Sequence, residues 1–185
     1  MQFQIDIGIS ENTDTHHPTV MPMEISRKKN LKMKVISLWQ PWASLMAWGI
    51  KTIETRHWPL PQNIKGPIAI HAAKKLVKVK DPYFEDALLE RNLSYNDLPR
   101  GFILCYFDTV ECILINYRQD GVPDYPERAF GDYTPGRYMW KMKGLNVLPW
   151  PLMIQGRQGI WNWNTSEHPI PSNDVAKPEQ QLKLF

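Results

Sequence analysis

No stretch of this chain approaches the roughly 18 consecutive apolar residues that a helix needs to cross a bilayer, which excludes a helical membrane span. The amino terminus also lacks the basic start and continuous apolar run of a secretory leader, so the expectation is a soluble cytoplasmic protein without a membrane partner. Cysteine is scarce. Cys105 and Cys112 fall in one predicted strand region, where a separation of seven residues points them to opposite faces and disfavours a bridge. Reduced thiols fit the same compartment. A large charge excess is missing too, and a net charge of +3 permits a nucleic-acid partner without requiring one. His16 and His17 have no third ligand at a recognisable spacing, so no metal site is expected there. The chain shows no internal repeat.

What is present is an ordinary globular composition, 43% hydrophobic and 22% charged over 185 residues, enough for one domain with a real core. The most informative stretch runs from Trp39 to Arg56. Pro41 suits a first helical position and Gly49 can take the left-handed conformation that ends a helix. Trp42, Leu45, Met46 and Gly49 then share one buried stripe. From Thr52 to Arg56 the period changes to that of a strand, with Ile53 toward the core and Glu54 and Arg56 together on the other face. Lys51 joins that charged pair only if the strand begins after it.

Around this stretch, Lys34 to Trp39 alternates like a strand, and the prolines of Trp58-Pro59-Leu60-Pro61 enforce an extended loop. A third strand follows Gly66 and ends near His71, with Lys74, Lys75, Lys78 and Lys80 just beyond it. Such a run is usually a solvated face, but beside an electropositive cleft it attracts phosphate. Asp81 and Pro82 open an amphipathic helix extending to Asn92. Phe102 to Ile115 reads as the central strand, and Asn116 to Phe130 as a long surface loop. A turn at Tyr133 to Gly136 leads into a strand through Trp140, which Pro149-Trp150-Pro151 separates from Leu152 to Ile154. A turn at Gly156 to Gly159 precedes a last strand, Ile160 to Trp163. Short strands, a few short helices and glycine-proline turns predict an α+β fold built on a small mixed or antiparallel β-barrel.

Five segments, in order, resemble the ASCH domain family: Trp39-Gln40-Pro41-Trp42-Ala43, Gly49 through Arg56 as a Gly-x-Lys-x-x-Glu-x-Arg run, Ile68-Ala69-Ile70-His71-Ala72, Phe130 through Trp140, and Gly156-Arg157-Gln158-Gly159 with Trp161. The resemblance covers residues 33–164 and implies a PUA-like barrel. It leaves residues 1–32 as a disordered extension and 165–185 as a flexible tail.

Lys51, Glu54, Arg56, His71, Glu127, Arg137 and Arg157 all lie at expected strand ends or turns, positions that a small barrel can bring to one mouth. With Lys74, Tyr133 and Tyr138 they suit a splayed nucleotide, Arg taking phosphate and a ring stacking on the base. Trp140 and Trp161 accompany them. The resemblance implies three roles for such a site. One is binding of RNA, single-stranded nucleic acid or a modified nucleoside by a monomer, and this is the leading expectation. A second is removal of the acetyl group of N4-acetylcytidine, for which Lys51 matches the family lysine by its place in the Gly-x-Lys run. Glu54 stands where that branch has Thr, and Glu127 is the candidate carboxylate. The third is a ribonuclease in which Glu54 and Glu127 hold a divalent metal; otherwise no cofactor is expected.

The chain ends in Gln181-Leu182-Lys183-Leu184-Phe185 after a polar, proline-containing segment. This ending resembles the pentapeptide by which bacterial proteins bind the DNA sliding clamp. The resemblance implies that Leu184 and Phe185 fill an apolar pocket while Gln181 bonds its rim and Leu182 lies between them. It also leaves open a pure adaptor, with the barrel as scaffold.

Overall fold

The computed structural model of the protein describes residues 32–173. Its main elements are β1 (Lys32–Gln40), α1 (Trp42–Ala47), β2 (Ile53–Arg56), β3 (Ile68–Leu76), α2 (Pro82–Leu89), β4 (Phe102–Leu114), β5 (Tyr138–Met153) and β6 (Ile160–Asn164). The strands form one sheet in the order β2-β5-β4-β3-β1-β6. β1 and β3 run parallel, joined by a crossover long enough to hold α1 and β2, and the other pairs are antiparallel. The class is therefore α+β with a mixed sheet. Among the described residues the hydrogen-bond ladder stays open, with β2 and β6 as its edges.

Local chemistry explains the elements nearest the site. The fully buried Gln40 side chain donates to the Pro99 carbonyl (2.6 Å) and accepts the Ser44 amide (3.1 Å), satisfying an orphan donor of the first turn of α1. Gly49 takes φ +73° and turns the chain back beneath the helix, where the Ile50 and Lys51 amides both donate to the Leu45 carbonyl. β2 starts only at Ile53, so Lys51 is free to reach the Glu54 side. The second helix is capped as expected, Asp81 accepting the Tyr83 amide with Pro82 in the first turn.

One expectation needs correcting. Pro149-Trp150-Pro151 does not interrupt the strand, because β5 runs on to Met153. Opposite it, Cys105 pairs with Val147 and Ile103 with Leu152, so the residues between Val147 and Leu152 face Leu104 alone. The prolines sit in this bulge, where no ladder N–H is required.

The principal core lies between α1 and the sheet and holds Ile36, Leu38, Met46, Ile70, Phe107 and Trp140. A second cluster groups Met33, Val35, Ile103, Trp161 and Trp163, and Ile170 packs against it. The Trp163 indole donates to the His168 carbonyl, so the first residues after β6 fold back on this cluster. Burial pushes the Cys105 thiol up to about 12. Both cysteines are free.

Candidate nucleic-acid interface

A cleft of about 1430 Å³ opens where several element ends meet. One wall is the end of β3, the turn into β4 and residues 153–159, which supply His71, Lys74, Arg100 and Arg157. The opposite wall is β2 and residues 129–137, which supply Glu54, Arg56, Asp132 and Arg137. Trp39 and Trp42 also line it.

The two walls differ in how their charges are spent. Arg56 lies 3.1 Å from Glu54, outside hydrogen-bond alignment, and its guanidinium faces the Trp58 ring at 6.0 Å. Arg137 donates to the carbonyls of Asp132 (3.1 Å) and Thr55 (3.3 Å) and lies 3.3 Å from the Asp132 carboxylate. Hydrogen bonds from Thr134 are the main cause that holds the Asp132 carboxyl below its ordinary range. On the first wall, Lys74, Arg100 and Arg157 are exposed. Among the described residues, none of these three pairs with a carboxylate. Arg100 escaped the sequence reading. Its signal was the Leu98-Pro99-Arg100-Gly101 turn, where Gly101 at φ +84° sets a cation at the mouth of a strand.

Lys51 does not line the cleft. The residue is 0% exposed; Nζ donates to the carbonyls of Ile53 and of Phe130 (3.0 Å) and lies 3.7 Å from Glu54. Burial lowers its pKa from the ordinary lysine value, while the Glu54 and Glu127 carboxylates oppose that shift. Three acceptors around one nitrogen match the three donors of an ammonium and leave no direction for a lone pair. Glu127 is set back as well. It accepts the Thr52 amide (2.7 Å) and hydroxyl (3.1 Å) and the Ile53 amide (3.3 Å), fastening the start of β2 to the 3-10 turn Glu127–Phe130. Burial raises its pKa, and Lys51 and these donors pull it down. Both carboxylates of the expected metal pair are thus engaged with cations or N–H donors.

The aromatic lining also differs from expectation. Tyr133 is buried among Ile53, Ile115 and Met139, with its hydroxyl 3.5 Å from Glu127, and burial pushes its pKa up. Tyr138 packs half-buried against the principal core, and Trp140 and Trp161 are buried. None of the four lines the cleft. The most exposed ring of the lining is Trp39, 49% exposed, with the Lys75 ammonium 3.5 Å above its centre. Period-2 alternation marks which strand positions share a face but does not say which face meets a core.

His71 is 2% exposed, and its Nε2 lies 3.0 Å from the Ile154 carbonyl, which makes Nε2–H the donor. Nδ1 is then a buried acceptor without a protein partner. Burial lowers the His71 pKa, the Ile154 bond partly offsetting it. Below about pH 6.5 the unfolded chain takes up a proton that the folded chain refuses, so folding stability should fall as pH drops from there toward the depressed folded value. A urea-denaturation series should show this loss, at up to about 1.4 kcal/mol per pH unit, and His71→Gln should remove it. Parallel pH profiles for the two proteins would refute the assignment.

The residues of the expected 1–32 extension other than Lys32, and the tail residues Gln181, Leu182, Leu184 and Phe185, lie outside the described residues. Among the described residues no helix is long and apolar enough to cross a membrane.

The chain is 26% identical over 163 residues to activating signal cointegrator 1 of Mus musculus, and 27% identical over 160 residues to the Homo sapiens protein. Each alignment covers 80% of this chain and 25% of the relative, so the chain spans about a quarter of the length of the curated relatives it matches. The crystal structure of ASCH from Zymomonas mobilis aligns with 74% of this chain and 90% of its own at 16% identity and a TM-score of 0.42. The family model for the ASCH domain matches residues 36–130, half of the sequence. The chain belongs to the ASCH domain family.

Proposed function

We propose that this protein binds single-stranded nucleic acid, or a nucleotide displayed from it, in the cleft between β2 and the ends of β3 and β5. The observation that carries the reading is the division of charge: Lys74, Arg100 and Arg157 face the cleft without carboxylate partners, beside the exposed Trp39 ring. Cations unspent within the fold are available to phosphate, and an exposed indole stacks on any base. A hydrolase that used Lys51 as base would need substrate to reach a nitrogen enclosed by carbonyls, so the geometry favours binding over that chemistry.

The test is an anisotropy titration of a fluorescent single-stranded oligonucleotide at several salt concentrations. Each phosphate contact contributes about 0.7 to the slope of log affinity against log salt for single strands. Arg100→Ala and Arg157→Ala should each lower that slope by about 0.7 and weaken all sequences alike. Unchanged affinity and slope in the double variant would remove the cleft from the binding site.

A further inference from the structure

The cationic lining does not stop at the rim of the cleft. β3 carries Lys74 and Lys75 out of it, and the chain continues through Lys78 and Lys80. All four lysines are exposed, and among the described residues none is within ion-pairing distance of a carboxylate. This segment is not a loose run. The Val77 amide donates to the Gln40 carbonyl (2.9 Å), and the Tyr95 hydroxyl donates to the Val79 carbonyl (2.8 Å) while accepting the Val79 amide (3.3 Å). Val79 packs inward against the cluster of Leu45, Phe84 and Phe130, where Trp42 also packs. Its neighbours Lys78 and Lys80 are left on a fixed backbone facing solvent. Trp42 belongs both to this cluster and to the cleft lining, so cleft and ledge share a wall.

We propose that residues 74–80 form a phosphate-tracking ledge, and that the ligand of this site is a single-stranded oligonucleotide rather than a free nucleoside. The proposal rests on the cleft reading above and extends it. An extended segment from Lys74 to Lys80 spans about 20 Å at most. That length matches roughly six nucleotides at the 3.4 Å stacked rise. A mononucleotide in the cleft leaves Lys78 and Lys80 unused. Because the backbone here is already hydrogen-bonded, ordering it costs the complex little. Past Lys80 the sign of the charge reverses, with Asp81 capping α2 and Glu85, Asp86 and Glu90 following, so the path ends there.

Length dependence tests the ledge. Affinities and salt slopes are measured for a nucleoside monophosphate and for oligonucleotides of two, four, six and eight residues, on the full chain and on a Lys78→Ala, Lys80→Ala double variant. Affinity should climb through about six nucleotides and then level, with the salt slope climbing in step. The double variant should lower the slope for the six- and eight-residue ligands by about 1.4 and leave the monophosphate unaffected. Monophosphate binding that equals octamer binding would overturn the ledge while keeping the cleft. Absence of binding by any ligand would overturn both. Competition of poly-glutamate with the octamer at equal charge would show a surface for polyanions in general, and would overturn the assignment to nucleic acid.

Discussion

Lys51→Met should destabilise the protein by about 3–5 kcal/mol, the range for breaking a buried charge pair by removing one partner. Methionine nearly keeps the volume, so packing contributes little to the loss. What disappears is the ammonium that joins Glu54 to the carbonyls of Ile53 and Phe130. Those carbonyls belong to β2 and to the 3-10 turn that Glu127 also fastens to β2, so the substitution leaves buried acceptors unpaired on both sides of one seam. Glu54 would still have Arg56 at 3.1 Å, but Arg56 has no hydrogen-bond alignment with it. The measurement is the urea midpoint and slope of both proteins. A loss under about 1 kcal/mol would mean that the amine is held neutral and contributes little to the fold, as a reactive base could be. A loss in the expected range identifies it as a clasp.

The contrast between Lys51 and its neighbours shows what can be read from the sequence and what cannot. Gly49 and Asp81 were legible because their roles are local: a left-handed turn and a helix cap depend on a few adjacent residues. The α+β class followed from the same kind of signal, repeated along the chain. The depth of Lys51 was not legible, because its partners Phe130 and Glu127 lie more than seventy residues away. The aromatic lining failed for a related reason. Tyr133, Trp140 and Trp161 lie at or beside strand ends and turns, where a groove lining would also sit, yet they fill cores, while Trp39 escapes burial through its place on β1 next to the end of β3. Pro149 and Pro151 read as a strand break because the bulge that accommodates them is a property of register with β4. Arg56, His71, Lys74, Arg137 and Arg157 reach one cleft from separate segments, and their common position at strand ends and turns is what had put them together in the sequence.

Gly156→Ala should weaken oligonucleotide binding by tenfold or more and destabilise the protein by about 1–3 kcal/mol, the usual cost of overpacking. Gly156 is not in the left-handed region, so alanine meets no backbone penalty. The obstacle is the His71 ring: a Cβ on Gly156 would overlap Cε1 and stand 2.5 Å from Nδ1. The ring cannot retreat cheaply, since Nε2 holds the Ile154 carbonyl and the far side meets Trp161 at 5.8 Å between centroids. The chain at 154–159 must therefore shift, and Arg157 shifts with it, straining the bond from the Ser37 hydroxyl to the Arg157 carbonyl (2.9 Å). A double-mutant cycle separates this from general damage. In a His71→Ala background the space opposite Gly156 is open, so Gly156→Ala should cost less than about 0.5 kcal/mol further in either stability or binding. Equal penalties in both backgrounds would show that the glycine acts independently of His71 and that the ring does not set the position of Arg157.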